Sequence, residues 1–334
     1  MKKAGKIFLL IIIIITGILR LGYLMEPVAR NNNQLIDLRI KSGSTSSQIG
    51  EKLYNYGLIK SKFLFNLLLM IKGIDDKLQA GFYQLKPSYN LKEVIAILVE
   101  GRVATFKVTI PEGYTVEEIA ERLATKTPYS MEDFLKIAGS DFAKPYLLAK
   151  NSGQKYAVEG FLYPDTYIIP KDYTPDRIFK VILDEFEEKW WERLKLETED
   201  SEYSPYEIMT IASLIEKEAK LEEEKPLIAA VIYNRLEKGM LLQLDASIQY
   251  VLPERKERIL YRDLEVDSLY NTYRFPGLPP GPVCSPGDSS IEAALNPADV
   301  DYLFYFALPD GSHKFSKTYR EHLLLQRELR SNNE

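Results

Sequence analysis

Ile211-Ala-Ser-Leu-Ile-Glu-Lys-Glu-Ala219 is the stretch from which the rest of this 334-residue chain can be read. It has no Gly or Pro, and Ser204-Pro205 lies just upstream. Serine caps helix starts well, and proline is tolerated at the first helical position. The pattern predicts a helix from about Pro205 to Lys220. At about 100° per residue, Ile208, Met209, Ala212, Ile215 and Ala219 share one face. Glu216 falls at the edge of that face, whereas Glu207, Thr210, Lys217 and Glu218 fall on the other side. Desolvation disfavours a charged carboxylate, so a Glu held among apolar groups keeps its proton to higher pH and becomes a proton donor. The same position also suits a boundary residue whose stem packs while its head reaches water. The wheel therefore selects Glu216 and sets Glu218 toward solvent, without fixing what Glu216 does.

Further segments accompany this helix. They are Ala229-Ala-Val-Ile-Tyr-Asn-Arg-Leu236, Gly239-Met-Leu-Leu-Gln-Leu-Asp245, Glu159-Gly-Phe-Leu-Tyr-Pro-Asp-Thr-Tyr167 and Asn271-Thr-Tyr-Arg-Phe-Pro-Gly-Leu-Pro-Pro-Gly-Pro282. Together with Ala212-Ser-Leu-Ile-Glu-Lys-Glu218 they resemble the YceG-like family, the MltG-type endolytic murein transglycosylases. The resemblance runs over nearly the whole chain, to His313-Lys-Phe-Ser316. It implies that Glu216, the first Glu of the E-K-E triplet, is the catalytic acid. Substrate contacts are expected from Gln243, Asp245, Asn271, Tyr273, Asp165, Tyr163 and Glu218. The family usually has a small hydroxyl residue where this chain has Leu244. Each contact has a plainer reading: Asp245 also suits an N-cap, and Phe161, Tyr163 and Tyr167 suit a core. The Pro- and Gly-dense stretch 271–282 forbids helix or central strand and is expected to wall the active-site groove.

Composition narrows the function classes. The formal net charge is −5, with charged residues at 27% and hydrophobic residues at 46%. A nucleic-acid-binding domain would carry a basic excess, so no nucleic-acid partner is expected. Cys284 is the single cysteine and only two histidines are present. Neither a Cys/His cluster nor an H-E-x-x-H pattern occurs, so no metal site is expected, and no cofactor.

Lys2, Lys3 and Lys6 precede a run of apolar residues over 7–25, interrupted by Arg20. At 1.5 Å per residue this run spans roughly 28 Å, close to a bilayer core. The basic flank predicts a cytoplasmic tail over 1–6, and a single-pass anchor with everything beyond it outside the cell membrane. A cleaved signal peptide is the competing reading, but Leu21-Gly-Tyr-Leu-Met25 is a poor cleavage site. Residues 26–35 read as a spacer.

An internal repeat follows. Ile40 to Leu53 aligns with Ile110 to Leu123, and Leu85 to Leu98 is a looser third copy. Each reads as a strand end, a turn and a capped amphipathic helix. The expected fold class is α+β: a membrane helix, a LysM-like α+β subdomain over 36–104, and a mixed α+β catalytic domain over 105–330. The LysM-like pattern serves equally as a glycan-binding module or as a spacer.

The resemblance implies peptidoglycan glycan strands as the substrate and peptidoglycan synthases as possible partners. It also implies chemistry with one carboxyl group, in which the muramic C6 hydroxyl closes onto C1 to give a 1,6-anhydro end. Two other readings remain open. One is a muramidase-type hydrolase, which generally needs a second carboxylate, here Asp165 or Asp245. The other is a non-catalytic, membrane-anchored glycan-binding protein.

Overall fold

The computed structural model describes residues 2–332, except 141, 143, 145, 146 and 148–152. The chain divides into two units, Met1–Phe106 with Ile168–Tyr173, and Lys107–Tyr167 with Thr174–Glu334. Its sheets are small: among the described residues there are three two-stranded pairs.

The first unit begins with α1 (Lys2–Met25). Within α1, Gly5–Met25 has a mean hydropathy of 2.6 and none of it is buried. By length and composition this helix is able to cross a membrane. Next, β1 (Ile36–Ile40) and β2 (Gly81–Leu85) pair antiparallel, with Ile36 opposite Leu85 and Leu38 opposite Tyr83. Strand alternation turns Leu38, Ile40, Tyr83 and Leu85 inward. They meet α2 (Ser46–Asn55), α3 (Lys62–Lys72) and α4 (Leu91–Val99) in one core. Leu24 and Met25, at the end of α1, pack on that core. Gly50 is needed where α2 meets α3, because a Cβ there would lie 2.8 Å from the Phe65 ring.

The internal repeat is real at the level of backbone. In α2, α4 and α5 (Val116–Ala124) the N-caps are Thr45, Asn90 and Thr115, and each forms a reciprocal capping box with the residue three positions on. Each box satisfies two otherwise orphaned donors. The strand before α5, β3 (Thr105–Thr109), pairs with β4 (Thr166–Pro170), and the division between the units falls within these two strands.

The second unit is mainly helical. After α6 (Met131–Ala138) comes a long helix of three parts: α7 (Pro175–Phe186), a π-helical turn (Glu187–Trp191) and α8 (Glu192–Glu197). Then follow α9 (Pro205–Glu218), α10 (Lys225–Glu237), α11 (Asp245–Val251) and α12 (Asp288–Leu295). The antiparallel pair β5 (Phe304–Ala307) and β6 (His313–Ser316) precedes α13 (Tyr319–Asn332).

Helix α9 is the axis of this unit. Every residue from Ile208 to Ile215 is buried, so the solvent face expected from the wheel is missing over that span. Thr210 and Ser213 are accommodated because their hydroxyls donate to the Tyr206 and Thr210 carbonyls. The Pro- and Gly-rich segment runs along α9 in the same direction. Gly281 lies against Tyr206, the Val283 N–H donates to Ser213 Oγ, and the Gly287 N–H donates to Glu216. It is a strap on the central helix, and its Pro279 and Pro280 line a separate groove beside Tyr203 and Tyr206.

Candidate active site

Two glutamates near the end of α9 have different surroundings. Glu216, expected at the margin of an apolar face, sits in a polar nest. Its Oε2 accepts from Ser290 Oγ at 2.5 Å, from the Gly287 N–H at 3.2 Å and from Lys225 Nζ at 3.5 Å. Lys225 is buried and donates to Ser289 Oγ at 2.6 Å. These contacts tie α9 to the first residues of α10 and α12. The turn before α5 closes the nest. A Cβ on Gly113 would lie 3.7 Å from Glu216 Cγ, and one on Gly287 would lie 2.1 Å from the Glu112 carboxyl. Burial and the neighbouring Glu216 charge raise the Glu112 carboxyl above its ordinary value.

Glu218 lines a cavity of about 670 Å³. Its Oε1 accepts from the Ala246 N–H at 3.4 Å, in the first turn of α11, and its Oε2 accepts from Tyr305 Oη at 3.2 Å. Burial raises the Glu218 carboxyl above the usual carboxylate value, and the charge of Asp245 adds to the rise. The two hydrogen bonds and His313 oppose it. Burial and the Glu218 charge keep the Tyr305 phenol protonated, so it acts as a donor. The Tyr305 ring stands edge-on to His313, with centroids 5.3 Å apart. His313 is held by Glu224, through Nδ1 at 2.6 Å and the backbone N–H at 2.8 Å. The solvent-facing position expected for Glu218 is therefore corrected. Where α9 ends, α11 and the β5–β6 pair close over the helix side that the wheel left polar.

The other expected contacts divide. Asp245 lines the same cavity and accepts from Tyr273 Oη at 2.5 Å. It is the first residue of α11 and not its N-cap, which is Leu244. Gln243 is exposed and held at φ 53°, in the left-handed region, where its N–H donates to the Thr272 carbonyl at 3.1 Å. Strained backbone of this kind often marks functional loops.

Asn271 is fully buried. Its amide donates to the Leu264 and Val266 carbonyls, and its Oδ1 accepts the Tyr273 N–H. Tyr163 is also buried, and its hydroxyl donates to Asp288 at 2.6 Å. Asp165 pairs with Lys189 at 3.1 Å, and its own turn and that lysine hold it below the ordinary value. These three groups are engaged in holding the fold together.

Sequence reasoning missed the Tyr305–His313–Glu224 support, and also Glu159 behind the cavity. Glu159 is buried and accepts from the Val116 N–H at 3.1 Å and from Tyr250 Oη at 2.9 Å. Burial pushes it up to about 8. Tyr250 and Thr115 line the cavity wall in front of it.

The class so defined is an α+β protein in which a half-buried glutamate opens onto a cavity that an exposed aspartate also lines. The chain belongs to the YceG-like family, whose sequence model matches residues 38–328. It is 36% identical over 313 residues to the endolytic murein transglycosylase of Bacillus subtilis strain 168, covering 90% of this chain and 86% of that protein. It is 31% identical over 336 residues to the endolytic murein transglycosylase of Streptococcus pneumoniae D39, covering 89% of this chain and 58% of that longer protein. Its fold matches the crystal structure of a yceG-like protein from Listeria monocytogenes with a TM-score of 0.62 and 35% identity. The match covers 87% of this chain and 99% of that one.

Proposed function

We propose that the chain is a membrane-anchored lytic transglycosylase that cuts within peptidoglycan glycan strands, with Glu218 as its acid. The observation that carries the choice of residue is that Glu218 opens on the cavity with its carboxyl raised by burial. Glu216 is already engaged by Ser290, Gly287 and Lys225. The first Glu of the triplet then holds the helix, and the second performs the proton transfer.

The resemblance to murein transglycosylases supplies the reaction. Protonated Glu218 donates to the glycosidic oxygen between N-acetylmuramic acid and N-acetylglucosamine, and the C1–O bond breaks. The resulting carboxylate, held by Tyr305 and Ala246, takes the proton of the muramic C6 hydroxyl as that oxygen bonds to C1. Glu218 ends protonated again, and no water is consumed. Asp245 presents negative charge to the positive charge that builds on the sugar during cleavage.

Because Asp245 shares the cavity, hydrolysis is the second reading, with water adding at C1. Mass spectrometry of the ends released from purified peptidoglycan by the full chain separates the two. Anhydro ends support the lytic reaction, whereas ends one water heavier would assign the chain to the hydrolases.

The anchor reading places residues 1–6 in the cytoplasm and the catalytic unit outside, where peptidoglycan lies. The basic flank of α1 supports this orientation. In the first unit, the strand–helix–helix–strand order of β1, α2, α3 and β2 supports the LysM-like reading of 36–104, which serves equally as a glycan-binding module or as a spacer. The assignment of 105–330 as the catalytic domain follows the cavity. Partnership with peptidoglycan synthases rests on the resemblance, and co-purification with the full chain tests it.

A further inference from the structure

Helix α3 carries a second apolar face that the core of its unit does not use. Leu64, Phe65 and Leu69 point inward and are buried. On the other side Phe63, Met70 and Ile71 are 73%, 68% and 69% exposed. They fall at i, i+7 and i+8, on one stripe of the helix, and Leu67 at i+4 lies between them, half-buried and packed on the core. Scattered exposed apolar residues need no explanation, but a contiguous stripe of large ones marks an interaction surface.

The position of α3 identifies the partner. Lys60, two residues ahead of α3, donates to the Tyr23 carbonyl at 3.2 Å and lies 3.7 Å from the centre of the Tyr23 ring. Tyr23 is in the last turn of α1, and the adjacent Leu24 and Met25 are packed on the core of the same unit. The residue two positions ahead of α3 is therefore held at the end of the apolar helix, whose surface is already suited to lipid. Tyr54, in the last turn of α2, and Tyr56, its C-cap, are about half exposed. Tyrosine is favoured at the level of lipid headgroups. Lys62 and Lys72 stand at the two ends of α3. Lys62 is paired with Glu51, so the apolar stripe dominates the attraction.

We propose that α3 lies in the headgroup region of the bilayer that α1 crosses, with Phe63, Met70 and Ile71 inserted. Interfacial helices bury such a face by roughly 5–10 Å. The contact is a second attachment, which fixes the orientation of the first unit at the membrane surface. It rests on reading α1 as the anchor.

The test uses the full chain reconstituted in liposomes of phosphatidylcholine and phosphatidylglycerol. Nitroxide labels are placed singly at Phe63→Cys and Ile71→Cys, with Ile13→Cys in α1 and the exposed Lys314→Cys as references. The native Cys284 is buried. Collision of each label with oxygen, which concentrates in lipid, is compared with collision with a water-soluble nickel chelate. The expected result is oxygen-dominated contact at positions 63 and 71, shallower than at 13, and nickel-dominated contact at 314. Nickel-dominated contact at 63 and 71, with 13 deep in lipid, overturns the inference and leaves the anchor standing. Shielding of 63 and 71 from both reagents also overturns it, because protein then covers the stripe. Nickel access at 13 defeats the anchor reading, and the inference falls with it.

Discussion

At the scale of the residue, two glutamates of one helix compete to move the proton. Removing a general acid costs on the order of 100- to 10,000-fold in rate, and Glu218→Gln is expected to lose that much in turnover of peptidoglycan. Asp245→Asn removes a negative charge that helps keep Glu218 protonated. The high-pH limb of activity, where the acid loses its proton, is expected to move to lower pH in that variant. An unmoved limb would detach Asp245 from Glu218.

Glu159 permits a stability test. Its folded value is about 8 against an ordinary 4.5. Between those values the folded chain keeps a proton that the unfolded chain has lost, so stability falls as pH rises. Urea midpoints are expected to decline from pH 5 to pH 8, and less steeply in Glu159→Gln. What was legible at this scale was the E-K-E triplet. The surroundings of its second Glu were not, because a helical wheel treats the far side of a helix as water. Here that side meets the Ala246 N–H and the Tyr305 hydroxyl.

At the scale of the element, the chain wrote its helices and turns clearly. Ser204-Pro205 begins α9 as the capping rules require, and the Ser204–Glu207 capping box is formed. The repeat of strand, turn and capped helix was legible for the same local reason. The partners of the Pro- and Gly-rich strap were not, since they are distant in sequence. The strap packs on the Glu159–Tyr163 segment, where Gly160 has φ +85° and a Cβ would lie 2.4 Å from Pro282 Cβ. Left-handed strain and overpacking each cost about 1–3 kcal/mol. Gly160→Ala is therefore expected to lower the melting temperature by several degrees in calorimetry, at about 2–4 °C per kcal/mol. An unchanged transition would mean that the strap does not bear on this segment.

At the scale of the whole molecule, family and fold class were legible, because E-K-E and Gly-Leu-Pro-Pro-Gly-Pro are dense and specific. The division into units was harder to read. The first unit recruits Ile168–Tyr173 from beyond the repeat, a return crossing with no local signal. The proposed order is an anchor, a LysM-like unit and a cavity unit. Activity on peptidoglycan is accordingly expected to persist in liposome-reconstituted full chain, with the enzyme sedimenting with the vesicles. Recovery of all activity in the supernatant would count against membrane attachment.

The most direct measurement compares single-turnover rates of the full chain, Glu216→Gln and Glu218→Gln on the same purified peptidoglycan, across pH. Release of anhydro ends by Glu218→Gln is expected to fall by that same factor, on the order of 100- to 10,000-fold. Glu216→Gln should remain active and be slowed by less than Glu218→Gln, because it removes hydrogen bonds to Ser290 and Gly287 and not the acid. Its high-pH limb should also still be governed by Glu218. If Glu218→Gln kept substantial turnover while Glu216→Gln lost it, the assignment of the acid would be contradicted.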